Sequence, residues 1–142
     1  MSNRIVADAD ILIALTFDED PLHNKAKAFS ETLARMGITV VFPNTAILEA
    51  ITALKRSLNK PKEAHFINQQ YLQGAYEVEY IDSETQKRAG VIFEKKAVSK
   101  KNTIFDAVVA ATAEKLATNT IFSFDEWYSK LGFSSVGELS KN

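Results

Sequence analysis

The chain has 142 residues, 46% of them hydrophobic, with 17 Lys+Arg against 18 Asp+Glu and a formal net charge of -1. That length and apolar content suit one domain with a single core rather than two folding units, and the balanced charge leaves any nucleic-acid binding to local clusters. The absence of cysteine excludes disulfides and thiolate metal or redox sites and fits a cytoplasmic protein.

With only His23 and His65 available, a bound metal would be held mostly by oxygen, which favours magnesium or manganese over zinc or copper. No apolar run approaches the roughly 20 residues needed to span a bilayer, and the N-terminus has no signal-like apolar region. The expectation is a soluble, intracellular protein with no membrane partner.

Taken in chain order, RIVA at 4–7 predicts a buried strand, and Ile11 to Leu15 predicts a helical turn entered through Asp10. After the break Asp18-Glu19-Asp20-Pro21, Leu22, Ala26, Phe29 and Leu33 recur at helical spacing over 21–35, with Gly37 as the stop. ITVVF at 38–42 is a second strand. Pro43 and Asn44 then lead to a helix from Thr45 to about Leu58, striped by Ile47, Ile51, Leu54 and Leu58. Pro61 opens a helix to about Leu72, closed by Gly74.

AYEVEYI at 75–81 alternates Tyr76, Val78 and Tyr80 with Glu77 and Glu79, a half-exposed strand near a sheet edge. Ser83 and Gln86 resemble a capping box for a helix to about Val98. The basic link SKKN precedes an Ala-rich helix over about 103–117, and TIFSF at 120–124 is strand four. WYSKLGF reads as a short helix before a last strand at 133–136. Residues 1–137 therefore form one domain and 138–142 a loosely held tail. Strands alternate with helices, which predicts an α/β architecture with a mostly parallel sheet.

Asp8 and Asp125 each directly follow a strand, whereas Glu49 and Asp106 interrupt apolar helices. In open parallel sheets the carboxyl ends of the strands share one edge, where ligands collect. Each acid also has an ordinary reading. Asp8 could cap a turn, although Asp10 is the better N-cap, and Asp125 could start the helix at Glu126. Asp106 lies beside Phe105 and Val109 on a turn that faces inward; Glu49 shares the polar flank of its helix with Thr45, Thr52, Ala53 and Arg56, and reads as solvated.

Together the four have a chemical meaning. Crowded carboxylates raise one another's proton affinity, and a dication reverses that preference. A magnesium ion that retains waters can activate one for attack on phosphorus, so the set implies metal-assisted phosphodiester hydrolysis. Lys55, Arg56, Lys60 and Lys62 form one basic cluster, and Lys95, Lys96, Lys100 and Lys101 another. The second leads into the Asp106 helix and is the better placed for phosphates. His23 and Trp127 read as packing residues.

The blocks VADADILIAL, TAILEAITAL, FDAVVAATA and FSFDEWYSKLGF resemble, in order and across nearly the whole chain, the four motifs of PIN-domain ribonucleases, especially VapC-like toxins of toxin–antitoxin pairs. The resemblance implies a three-layer α/β/α sandwich with a parallel sheet, and magnesium- or manganese-dependent endonucleolytic cleavage of RNA. It makes Asp8 the central metal ligand. Glu49 and Asp106 would bind directly or through water, Asp125 would complete the pocket, and Ser123 would orient water or a carboxylate. Asp10 stands where the family has a small polar residue, which points to an indirect role. A homodimer and an antitoxin whose tail blocks the acidic groove are the implied partners. Two alternatives are a haloacid-dehalogenase-like phosphatase using Asp8 and Asp10 as its DxD pair, and a non-catalytic domain that keeps the pocket as a scaffold or as a regulatory, receiver-like switch.

Overall fold

The computed structural model, which describes residues 3–139, has five short strands, the central three built largely from β-branched and aromatic residues. The strands are β1 (Arg4–Ala7), β2 (Thr39–Pro43), β3 (Glu77–Glu79), β4 (Thr120–Phe122) and β5 (Ser134–Ser135). All pairings are parallel and the strand order is β3-β2-β1-β4-β5. Ile5 lies opposite Val40, and Val6 is opposite Val41 on one side and Ile121 on the other.

The chain thus builds outward from β1 to β2 and β3, then crosses back to add β4 and β5 on the far side. This reversal opens a crevice beyond the carboxyl ends of β1 and β4.

Side chains alternate across a strand, and the core divides accordingly. Ile5, Ala7 and Phe122 pack on one face with Leu12, Leu33, Ile47, Leu54 and Ile67. These come from α1 (Ala9–Thr16), α2 (His23–Arg35), α3 (Asn44–Thr52), the turn after it, and α4 (Pro61–Leu72). Val6 and Ile121 point the other way, to Ala89, Ile92, Val109, Trp127 and Tyr128. Those residues belong to α5 (Ser83–Lys96), α6 (Ile104–Lys115) and α7 (Trp127–Lys130). The result is the expected three-layer α/β/α sandwich. Every residue of α6 from Asp106 to Ala113 is buried, which its run of alanines permits by letting α6 sit close to the sheet.

Local differences from the sequence reading have local causes. Helix α1 starts at Ala9, and its cap is Asp8 rather than Asp10, because the Ala9 N–H donates to Asp8 Oδ1 at 2.6 Å. Helix α5 is capped by Asp82, which accepts from the Thr85 N–H at 2.8 Å, so the Ser83–Gln86 box is not its cap. The helix expected to run to Leu58 becomes a π-helical turn at Ala53–Ser57, where the Leu58 N–H donates to the Ala53 carbonyl. The apolar stripe therefore stops at Leu54, and Leu58 is exposed.

Strand β3 keeps its edge position but shortens to three residues, and β5 yields at Val136 to α8 (Val136–Leu139). Glu138 and Leu139 of the expected tail belong to α8; residues 140–142 lie outside the described residues. Among the described residues no helix is long and apolar enough to cross a membrane.

Leu54 anchors the π turn with 0% exposure. Leu54→Ala is expected to lower stability by about 2–5 kcal/mol, as for other large-to-small core changes, measured by urea denaturation. A loss well below that range would mean that the turn closes over the void.

Candidate active site

The crevice is built by the segments that leave β1 and β4. The Asp8 N–H donates to the Phe122 carbonyl at 3.1 Å, tying the end of β1 to β4 and placing Asp8 where two strands finish. Asp8 is buried; its Oδ2 accepts from the Tyr128 hydroxyl at 2.6 Å, while Oδ1 holds the start of α1. On the first turn of that helix, Asp10 Oδ2 accepts from Ser123 Oγ at 3.0 Å and from the Phe124 N–H at 2.8 Å. Ser123 in turn accepts from the Asp125 N–H at 3.1 Å.

Asp106 occupies the first turn of α6, where Oδ2 accepts from the Thr103 N–H at 3.0 Å in a capping box. This interaction fixes its rotamer. Asn102, also buried, donates Nδ2 to Asp125 Oδ2 at 3.0 Å and to Asp106 Oδ2 at 3.4 Å, bridging the two acids. The other oxygen of Asp125 accepts from the Trp127 N–H at 2.9 Å, so the helix-start reading of Asp125 and its place in the crevice hold together.

Glu49 corrects the sequence reading most sharply. Thr52 and Arg56 of the same flank are exposed, but Glu49 is partly buried and turned toward the other acids, and its Oε1 is buried with no hydrogen-bond partner among the described residues. Asp10 Oδ1 is in the same condition.

The electrostatics show that these acids share one environment. Burial, then the Asp10 charge, push the Asp8 carboxyl well above the carboxylate range, with Asp106 and Glu49 adding to the rise and the Tyr128 hydrogen bond opposing it. Burial raises Glu49 to about 7, helped by Asp106 and Asp10. Burial also lifts Asp10 to about 6, against the hydrogen bonds from Phe124 and Ser123 and with a smaller push from Asp125. Asp106 is raised by burial and by Asp125, against its bonds from Thr103 and Asn102. Lys115 pairs with Glu79 and Asp82, and Arg88 with Glu114, away from this crevice.

Carboxylates forced together in this way favour either protons or a cation. The orphaned oxygens of Asp10 and Glu49, and an all-oxygen donor set, fit a hard divalent ion such as magnesium or manganese. Among the described residues no three acid or histidine side chains already stand in a ligating array. The carboxylates of Asp8, Asp10, Asp106 and Asp125 are instead turned to hydroxyl, amide and backbone donors.

Tyr128 and Asn102 escaped the sequence reading. Tyr128 meets Asp8 across 120 positions, with no local pattern to announce it. Asn102 carried a faint signal, as a polar residue immediately before the capping Thr103. Of the basic clusters, Lys100 and Lys101 are exposed on the turn that carries Asn102. In the other, Lys55 Nζ lies 2.6 Å from His65 Nε2, and Lys60 Nζ lies 5.1 Å from the centre of the Phe17 ring. Trp127 is a packing residue whose Nε1–H donates to the Lys96 carbonyl; the His23 ring lies 2.7 Å from the Ala14 carbonyl.

Tyr128→Phe removes the hydroxyl that donates to Asp8. At about pH 8 this should cost about 1–3 kcal/mol, the penalty for a buried acceptor left without its donor, and less at about pH 5, since lower pH favours the neutral form of a carboxyl whose proton affinity is raised. Urea melts at both pH values test this. An equal cost at both would show that the bond does not depend on the ionised form of Asp8.

A family model described as PIN domain matches residues 5–134. Nine solved chains match the structure. Among them the crystal structure of Mycobacterium tuberculosis VapC20, described as a sarcin-ricin loop cleaving toxin, aligns with a TM-score of 0.79 at 22% identity, covering 92% of this chain and 96% of that one. At that identity the likeness speaks for the fold. No curated protein sequence matches the chain.

Proposed function

Because the chain belongs to the PIN-domain family, we propose that it is a metal-dependent endoribonuclease acting on RNA phosphodiester bonds, the toxin half of a toxin–antitoxin pair. The observation that carries this reading is the convergence of Asp8, Asp10, Glu49 and Asp106 in one crevice with raised proton affinities, two of their oxygens lacking a hydrogen-bond partner among the described residues. The sarcin-ricin loop cleavage stated for the Mycobacterium tuberculosis toxin supports an RNA substrate.

In this reading Asp8, Glu49, Asp106 and Asp125 would hold magnesium or manganese. When bound, the ion supplies an activated water and offsets charge that develops on the phosphoryl oxygens. The remaining work falls to the protein. Tyr128 fixes Asp8 by its hydroxyl, and the capping box fixes Asp106. Asn102 sets the separation of Asp106 from Asp125, and Ser123 restrains Asp10, acting through a carboxylate rather than as a nucleophile. Lys100 and Lys101 supply exposed positive charge for the RNA backbone next to a crevice that would otherwise repel it. A second copy of the chain and a small antitoxin are the partners this reading brings.

Purified protein incubated with total RNA across a magnesium or manganese titration, and in chelator, tests the proposal. New RNA ends that appear only with metal support it. Metal and RNA binding without new ends would assign the chain to the non-catalytic scaffold alternative. PIN membership sets aside the haloacid-dehalogenase-like phosphatase, and Asp10, turned toward Ser123 and Phe124, is not placed as the second acid of such a pair.

A further inference from the structure

A cavity of about 290 Å³ opens beside the acidic crevice and shares Ser123 and Asp125 with it. Its volume is at the small end of ligand pockets, which run from roughly 300 to 1,000 Å³. Phe29 from α2 and Phe124 from the loop after β4 form its aromatic wall, with Phe122 behind them. The rings of Phe29 and Phe124 lie 6.4 Å apart at an interplanar angle of 32°, close to a stacking orientation, and both are only partly buried. Phe122 meets each of them edge-on, at 6.3 and 6.5 Å, and holds them in place.

The polar groups around this wall are as informative as the rings. Lys25 brings its ammonium to 5.7 Å from the centre of the Phe124 ring and 5.9 Å from that of Phe29. Ser129, Ser135 and Glu126 also line the cavity and offer hydrogen-bonding groups. A flat heteroaromatic ring with hydrogen-bonding edges and an attached phosphate uses all of these features; an aliphatic side chain uses only the first.

We propose that this cavity is a subsite for one unstacked nucleobase of the RNA, adjacent to the phosphodiester at the acidic crevice. The inference rests on the nuclease reading above. Single-stranded nucleic acids are held by such a combination, aromatic faces for the bases and cations for the backbone. Position supports it as well. Phe124 lies between Ser123 and Asp125 in the chain, and its N–H holds Asp10, so the aromatic wall and the acids are parts of one loop. A base seated on Phe124 therefore stays within a nucleotide's reach of the carboxylates. The cavity thereby selects for flexible, unpaired RNA, since a base held in a duplex cannot enter.

The test uses the full chain carrying Asp8→Asn, which keeps the probe intact, with magnesium present. The probe is a single-stranded RNA hexamer containing one 2-aminopurine, whose emission is quenched by stacking. Quenching on binding is expected, and Phe124→Leu and Lys25→Ala should each raise Kd at least about fivefold, the loss associated with one stacked base. Lys25 is exposed, so its variant stays folded even if Phe124→Leu does not. An unchanged Kd in Lys25→Ala, or equal binding of a hexamer with an abasic residue in place of 2-aminopurine, overturns the subsite. So does crosslinking from position 25 to a second copy rather than to the RNA. If quenching is lost in the variants while the wild-type chain never cuts RNA, the subsite stands and the nuclease reading fails. If the chain cuts but Kd is unmoved, the reverse holds.

Discussion

Asp8→Asn is expected to reduce RNA cleavage on the order of a thousandfold or more, since groups that act as one unit fail together when any member is lost, and to leave the fold intact. The physical case rests on where Asp8 sits. It is 5% exposed, caps α1, accepts from Tyr128, and feels Asp10, Asp106 and Glu49. Asparagine matches aspartate in shape, remains a good helix cap, and keeps one oxygen acceptor. It removes the negative charge on which attraction for a dication depends.

The same charge burdens the metal-free fold, because ionising Asp8 works against burial and three like neighbours. The melting temperature of Asp8→Asn in chelator at about pH 8 should therefore exceed that of the wild type. Gain of stability with loss of activity is the signature of a carboxylate held for function. Sequencing of RNA ends measures the first quantity and calorimetry the second. Wild-type cleavage by a folded Asp8→Asn, Asp106→Asn double variant would falsify the site assignment.

The pH dependence of stability should reverse the usual behaviour of carboxylates. A carboxyl whose folded pKa is raised binds protons more tightly in the folded chain than in the unfolded one, so it destabilises the fold when pH is above its folded value. That burden is relieved as pH falls through it. Glu49, at about 7 against 4.5, and Asp10, at about 6 against 3.8, place the change between neutral and mildly acid pH, with Asp8 and Asp106 acting in the same direction. In chelator the melting temperature should rise as pH is lowered from about 8 to about 5.

Metal should act most strongly at the other end of this range. At about one hundred times its Kd, magnesium or manganese stabilises a folded state that alone binds it by about 2.7 kcal/mol. Protons compete for the same oxygens, so the metal-loaded and metal-free curves should converge as the solution becomes acid. Asp82 titrates in the opposite sense, lowered to about 2 chiefly by its bond from the Thr85 N–H, and contributes nothing to the slope in this window. A metal-free curve that climbs from about pH 5 to about pH 8, or a metal shift that survives loss of Asp8 and Asp106, would place the cation elsewhere.

The order of the elements could be read from hydrophobic period alone, because a buried strand and an amphipathic helix impose different spacings on the residues within them. The same spacing located β1, directly before Asp8, and the helices that carry Glu49 and Asp106. It also located β4, which ends at Phe122 rather than at Phe124 as the run TIFSF suggests, because Ser123 and the Phe124 N–H turn aside to Asp10. Chemical type and the need to neutralise those acids then pointed to a divalent metal. What periodicity could not supply was the destination of a polar face. Glu49 shares its flank with Thr45 and Thr52, and a helical wheel looks the same whether that flank meets water or a crevice lined by other carboxylates. The choice was made by the crossover that sets β4 beside β1 and closes the far wall.

Capping was nearly degenerate as well, since Asp8 and Asp10 are both competent caps. Only the arrival of Ser123 and the Phe124 N–H, more than 110 positions away, draws the Asp10 carboxylate aside and leaves the cap to Asp8. The Tyr128 hydroxyl on Asp8, the Asn102 bridge to Asp125 and the Phe29–Phe124 wall share that character. The linear chain determined the layers and the acids, because short-range period and side-chain chemistry are local properties. Which oxygen receives which donor was decided by tertiary contact alone, because parallel strands bring distant segments to one edge.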